Sequence, residues 1–206
     1  MILLRIVLLS LPLMMLYGCS ASPPTRYYIL DSVAAAQGGA AATAAPGSGP
    51  LVRLEPVVIP PELDRLELVT RSGPYRLRIS DSERWAAPLD DQIRQVLSQD
   101  LAERLPPHFL ADPNEPATSA PRRLLSIEIS EFYSNGACST TLRAEWTLRS
   151  PAGGSEHGSE TVGPTSTAPC TAIGFEVPAA MSSALAALAD RLTDVLKRLS
   201  SNTSKD

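Results

Sequence analysis

Apolar and polar positions alternate along several stretches of this chain, and two longer stretches switch to helical spacing. Leu125, Ile127 and Ile129 alternate with Ser126 and Glu128, and Leu142, Ala144, Trp146 and Leu148 alternate with Arg143, Glu145, Thr147 and Arg149. A period of two sends one set to the core face of a sheet and the other to solvent. Between them, Ser134-Asn135-Gly136-Ala137 is a hairpin signal, because Asn-Gly accepts the two positive φ angles of a tight turn. A Gly-rich turn over 151–158 then predicts a third strand over 159–167. Upstream, Tyr27-Tyr28-Ile29-Leu30 reads as a first strand, and 51–59 is a β-rich run closed by Pro60-Pro61. The short extended segments 67–70 and 75–79 form a predicted hairpin around Ser72-Gly73-Pro74.

Helical spacing begins after Pro88, where Leu89, Ile93, Val96, Leu97, Leu101 and Leu105 recur on one face. Asp90 and Asp91 suit the positive end of that helix dipole, and Pro106-Pro107 stops it. Over about 177–199, Met181, Leu185, Leu188, Leu192, Val195 and Leu199 line one face of an amphipathic terminal helix. Trp85, just before the first helix, is expected in the core beneath it. The fold class is therefore α/β: a mixed sheet of five to six strands with two main helices packed on it and the first helix acting as a crossover.

The ends differ from this body. Residues 1–18 carry one positive charge and a short apolar run, the pattern of an export signal. The run is shorter than the roughly 20 apolar residues that span a bilayer. Leu16-Tyr17-Gly18-Cys19 resembles a bacterial lipobox, which makes Cys19 the lipidated N-terminus; the alternative is an ordinary signal peptide with a chance cysteine. By resemblance to Gram-negative sorting signals, Ser20 in place of Asp points to the periplasm-facing leaflet of the outer membrane. Residues 19–25 read as a tether, 26–200 as one domain, and 201–206 as a disordered tail. An Ala/Gly/Pro tract over 34–50 has nothing large enough to bury and reads as a flexible insertion between two strands.

Composition narrows the function. With 44% hydrophobic and 19% charged residues the body is globular, and a net charge of −4 without a basic cluster disfavours nucleic acid as a partner. His108 and His157 both fall in predicted loops, so no convergent set of zinc ligands is expected. The sequence Gly154-Ser155-Glu156-His157-Gly158 lacks the glycine that a nucleophile elbow needs two places after its serine. No cofactor or catalytic residue is assigned, and the chain is read as a non-enzyme. Cys138 and Cys170 remain as an even pair in an exported protein, which predicts a disulfide, with two buried free thiols as the alternative.

Arg26-Tyr27-Tyr28-Ile29-Leu30-Asp31, Ile59-Pro60 followed by Leu63-Asp64-Arg65, Val69-Thr70-Arg71 and Trp85-Ala86-Ala87-Pro88-Leu89 occur in an order and spacing that resemble the PqiC or YmbA-like family, the ABC-type transport auxiliary lipoproteins. Leu66 stands where many members have Pro, and the Ala-rich tract is an insertion. The resemblance implies a fold similar to the N-terminal domain of TolB. It also implies an outer-membrane lipoprotein that docks a periplasmic, PqiB-like MCE-domain conduit for phospholipids. A lipid carrier with an internal apolar cavity is the competing function, and self-association is left open. Partner contact is assigned to the segment bearing Leu63, Asp64, Arg65, Thr70 and Arg71, which concentrates charge without a catalytic companion. The competing reading has Asp64 and Arg65 forming a local ion pair and Arg71 laying its stem over apolar surface.

Overall fold

A computed structural model describes residues 23–34, 52–107, 109–111, 123–135, 139–151, 153–164 and 173–203. Along these run β1 (Arg26–Tyr28), β2 (Val52–Leu54), β3 (Glu67–Gly73), β4 (Arg76–Trp85), α1 (Leu89–Arg104), β5 (Arg123–Ser134), β6 (Thr140–Arg149), β7 (Ser155–Val162) and α2 (Ile173–Thr203). The α/β class and both main helices are as the periodicity requires. The strands, however, divide between two sheets instead of one, ordered β1-β4-β3 and β2-β5-β6-β7. Both run along the same edge of β5. Strand β2 pairs parallel with its start, Val58 bridges to Glu128 in its middle, and Arg71 of β3 bridges to Asn135 just past its end. The smaller sheet thus meets the larger one at the far end of β5, a non-local arrangement that period alone cannot specify.

The meander shows the expected facing pattern. Leu125, Ile127 and Ile129 are buried against Leu142, Ala144, Trp146 and Leu148. A register shift between Ile129 and Glu131 then moves the inward phase, so that Phe132 faces Leu142, both at 0% exposure. Strand β7 begins at Ser155, earlier than predicted. Gly153 and Gly154, at φ 93° and 90°, complete the turn at once, with the Ser150 amide donating to the Gly154 carbonyl at 3.1 Å. His157 is consequently an exposed strand residue opposite Thr147, not a turn residue. Opposite Trp146 stands Gly158, and a Cβ there would lie 2.7 Å from the indole ring.

Helix α2 lies across β5–β7 and against α1. Its stripe of Met181, Leu185, Leu188 and Leu192 is at most 1% exposed, and Ile93, Leu97 and Leu101 of α1 are fully buried. Each such side chain contributes about 1.5–3 kcal/mol of burial, which explains why the helices follow the apolar stripe. Trp85 is buried at the base of β4, as expected, at 2% exposure.

A polar latch holds the chain just after β1. The backbone amide of Leu30 donates to Gln92 Oε1 at 2.9 Å, that of Asp31 to Ser182 Oγ at 3.1 Å, and that of Val33 to Asp100 Oδ1 at 3.1 Å. Arg104 joins the pieces, donating to Asp190 Oδ1 at 2.6 Å, to the Asp100 carbonyl at 2.9 Å and to the Val33 carbonyl at 3.3 Å. Asp100 is completely buried and its Oδ2 has no partner, so burial raises its pKa to about 6 despite the Val33 hydrogen bond and the Arg104 charge. Both helices therefore grip the segment that leads from the N-terminus into the fold.

Candidate functional site

The segment predicted for partner contact forms a partly exposed knob of turns that leads into β3. Pro60-Pro61 ends the extended run, after which the Leu63 amide donates to the Pro60 carbonyl at 2.9 Å and the Asp64 amide to the Pro61 carbonyl at 3.2 Å. The Trp85 amide donates to the Leu66 carbonyl at 2.6 Å, pinning the far side of the knob to the base of β4. The Tyr133 hydroxyl donates to Glu62. That bond holds the Glu62 carboxyl below its usual pKa, while burial, followed by the same bond, raises the Tyr133 phenol.

The five predicted residues separate by environment. Leu63 is 2% exposed and Thr70 is 8% exposed, so both belong to the core and position the loop from within. Asp64 and Arg65 are exposed, and no ion pair joins them. Leu66 beside them is 43% exposed. Arg71 is engaged within the fold: its Nη1 lies 2.9 Å from Glu131 Oε1, and its guanidinium sits 4.7 Å from the centroid of the Tyr133 ring. The expected Asp64–Arg65 ion pair is thus not formed, and Arg71 engages Tyr133 and Glu131 through its guanidinium. Sequence reasoning missed Glu62, Glu131 and Tyr133, which tie the knob to β5 from across the fold; the aromatic and acidic residues near the end of a long strand were the available signal.

A concavity lies on the outer face of the larger sheet, an open groove of about 340 Å³ lined by Glu55, Val58, Glu128, Glu145 and neighbouring residues. Ser126 donates to the Glu55 carboxylate and Arg149 lies 2.6 Å from it, and together they lower its pKa. Among the described residues no cluster of three metal-ligating side chains occurs, and no helix is long and apolar enough to cross a membrane. Cys19, Cys138, Cys170 and His108 lie outside the described residues.

The family pattern read in the sequence extends through the fold. Residues 28–193 match the profile of the ABC-type transport auxiliary lipoprotein component, and the chain belongs to that family. It is similar to the intermembrane transport lipoprotein PqiC of Escherichia coli K12, with 30% identity over 142 residues, 68% of this chain and 72% of the relative. The Shigella flexneri protein of the same name matches equally. The fold resembles the crystal structure of a Xanthomonas campestris protein at 15% identity, with a TM-score of 0.60 over 86% of this chain and 99% of that one. It also resembles the crystal structure of an uncharacterized protein at 18% identity, with a TM-score of 0.67 over 84% of this chain and 99% of that one.

Proposed function

We propose that this protein is the outer-membrane component of an MCE-type intermembrane lipid transport system, a non-enzymatic lipoprotein that docks the periplasmic conduit. Family membership carries this reading, together with the likeness to relatives named for intermembrane transport. Cys19 is the lipidated residue, the outer membrane holds it, and the body faces the periplasm. Asp64, Arg65 and Leu66 form the partner-facing surface: an exposed, mixed-character knob on a scaffold fixed by Leu63, Thr70 and Tyr133. The groove beside Val58, rimmed by three carboxylates and open to solvent, is a poor host for acyl chains and lends no support to the carrier reading.

The test is capture of the periplasmic region of a co-occurring MCE protein by the purified lipoprotein, wild type beside Arg65→Glu. Capture by wild type and weaker capture by the folded variant is the expected result. Equal capture would remove the knob from the interface, and failure of wild type to capture any MCE protein from its own cell would overturn docking. Metabolic labelling with a radioactive fatty acid checks the anchor separately, since Cys19→Ala should abolish the label.

A further inference from the structure

In the distal half of the β3–β4 hairpin the turn and the β4 arm are exposed on both faces, while Thr70 and Arg71 of the β3 arm are held by the fold. Residues 76–79 are exposed throughout, and Tyr75 at the turn is 101% exposed. Alternation places Tyr75, Leu77 and Ile79 on one side of β4 and Arg76 and Arg78 on the other. Leu77 and Ile79 are 38% and 48% exposed, a row of large apolar side chains that reaches solvent. Neither Arg76 nor Arg78 enters an ion pair among those residues. Acidic residues return only toward the base of the strand, at Asp81 and Glu83. An apolar ribbon capped by tyrosine and flanked by unpaired arginines has the chemistry of a bilayer interface, where aromatic rings settle at headgroup depth and arginines meet anionic phosphates.

Topology directs this tip and the lipid anchor to the same side. Strand β4 runs from tip to base, and β1 lies parallel to it with Arg26 opposite Glu83 and Tyr28 opposite Trp85. The chain before Arg26 therefore leaves the sheet from the end of β1 nearer the tip. From Glu83 back to Tyr75 the strand covers about 27 Å at roughly 3.4 Å per residue. From Arg26 back to Cys19 the sequence can span at most about 24 Å when extended, and Pro23-Pro24 favours extension. The two reaches match, so a lipid on Cys19 and the hairpin tip can meet one membrane surface.

We infer that the β3–β4 hairpin tip, through Tyr75, Leu77, Ile79, Arg76 and Arg78, rests on the anionic bilayer that holds the Cys19 lipid, giving the protein a second, non-covalent membrane contact. This rests on the lipidation reading above. The test uses the full-length lipoprotein purified from membranes and reconstituted into phosphatidylethanolamine–phosphatidylglycerol vesicles, with or without bromine on the acyl chains. Trp85 and Trp146 are buried at 2% and 8% exposure, so Tyr75→Trp adds a reporter at the tip. Bromine should quench the added emission, whereas a tryptophan placed at exposed Glu156 on β7 should be unaffected. Adding Arg76→Glu and Arg78→Glu to Tyr75→Trp should reduce the quenching several-fold. If the protein floats with the vesicles yet the Tyr75→Trp emission is identical in both lipids, the hairpin contact is overturned and the anchor stands. A blue shift without bromine quenching likewise overturns it, since the tip is then buried against protein. If the protein does not float at all, the anchor reading fails and this inference falls with it.

Discussion

At the scale of single residues, Arg65 and Arg71 are close in sequence and opposite in role. The Arg71 ion pair and its stacking on Tyr133 are both partly solvated, and together they contribute about 1 kcal/mol. Arg71→Ala should lower the thermal midpoint accordingly, whereas Arg65→Ala, at an exposed site without an ion pair, should change stability by less than about 0.5 kcal/mol. Thermal unfolding of the two variants separates them, and equal midpoints would contradict the assignment of Arg71 to the seam. Gly158 offers a second check. A side chain there would meet Trp146 ring atoms at 2.7–3.0 Å, so Gly158→Val must push out the indole or spread β6 from β7. The expected cost is about 1–3 kcal/mol, the range for overpacking. A red-shifted tryptophan emission should accompany it, and unchanged emission and stability would show that the ring yields freely.

At the scale of elements, legibility followed burial. Strands β5 and β6 were readable because one face of each is buried, and α2 because a continuous stripe is. Strand β7 was misplaced at its start because it is an edge strand whose residues are polar on both faces, with only Val162 buried. The knob could be located as charged residues between strands, but which of them point inward could not be read, because Leu63 and Thr70 are buried by contacts remote in sequence. The polar latch was invisible for the same reason: Asp100 and Arg104 look like ordinary solvent-face helix residues until α2 covers them. This latch has a pH signature. Its aspartate has a folded pKa raised to about 6 against an ordinary value of 3.8, so the folded state holds the proton more tightly than the unfolded chain does. The resulting stabilisation is complete below the unfolded value and is lost as pH rises through about 6. Stability should therefore fall from pH 5 to pH 7 in wild type, and Asp100→Asn should flatten that slope. Denaturant titrations at the two pH values measure it, and an identical slope in the variant would assign the dependence to other groups.

At the scale of the whole molecule, the β3–β4 hairpin is an axis with different chemistry at its ends. The apolar, arginine-flanked tip lies at Tyr75, while the knob bearing Asp64 and Arg65 is fastened to the base through the hydrogen bond from Trp85 to Leu66. Ten residues of β4 separate them, about 33 Å of extended strand. A protein standing on its tip would hold the knob away from the lipid surface, where a conduit approaching across the periplasm could reach it. Lipid contact and partner contact should then be separable by mutation, because sites this far apart with no shared partners add independently. Arg65→Glu should weaken capture of the MCE region, more at low salt than at high salt as screening predicts, and leave bromine quenching at position 75 unchanged. Arg76→Glu with Arg78→Glu should do the converse. The two sets combined should show the sum of the separate effects on each readout. A large effect of the tip variants on capture by vesicle-free protein would mean that the hairpin itself faces the partner, and the orientation argued from the parallel pairing of β1 with β4 would have to be reversed.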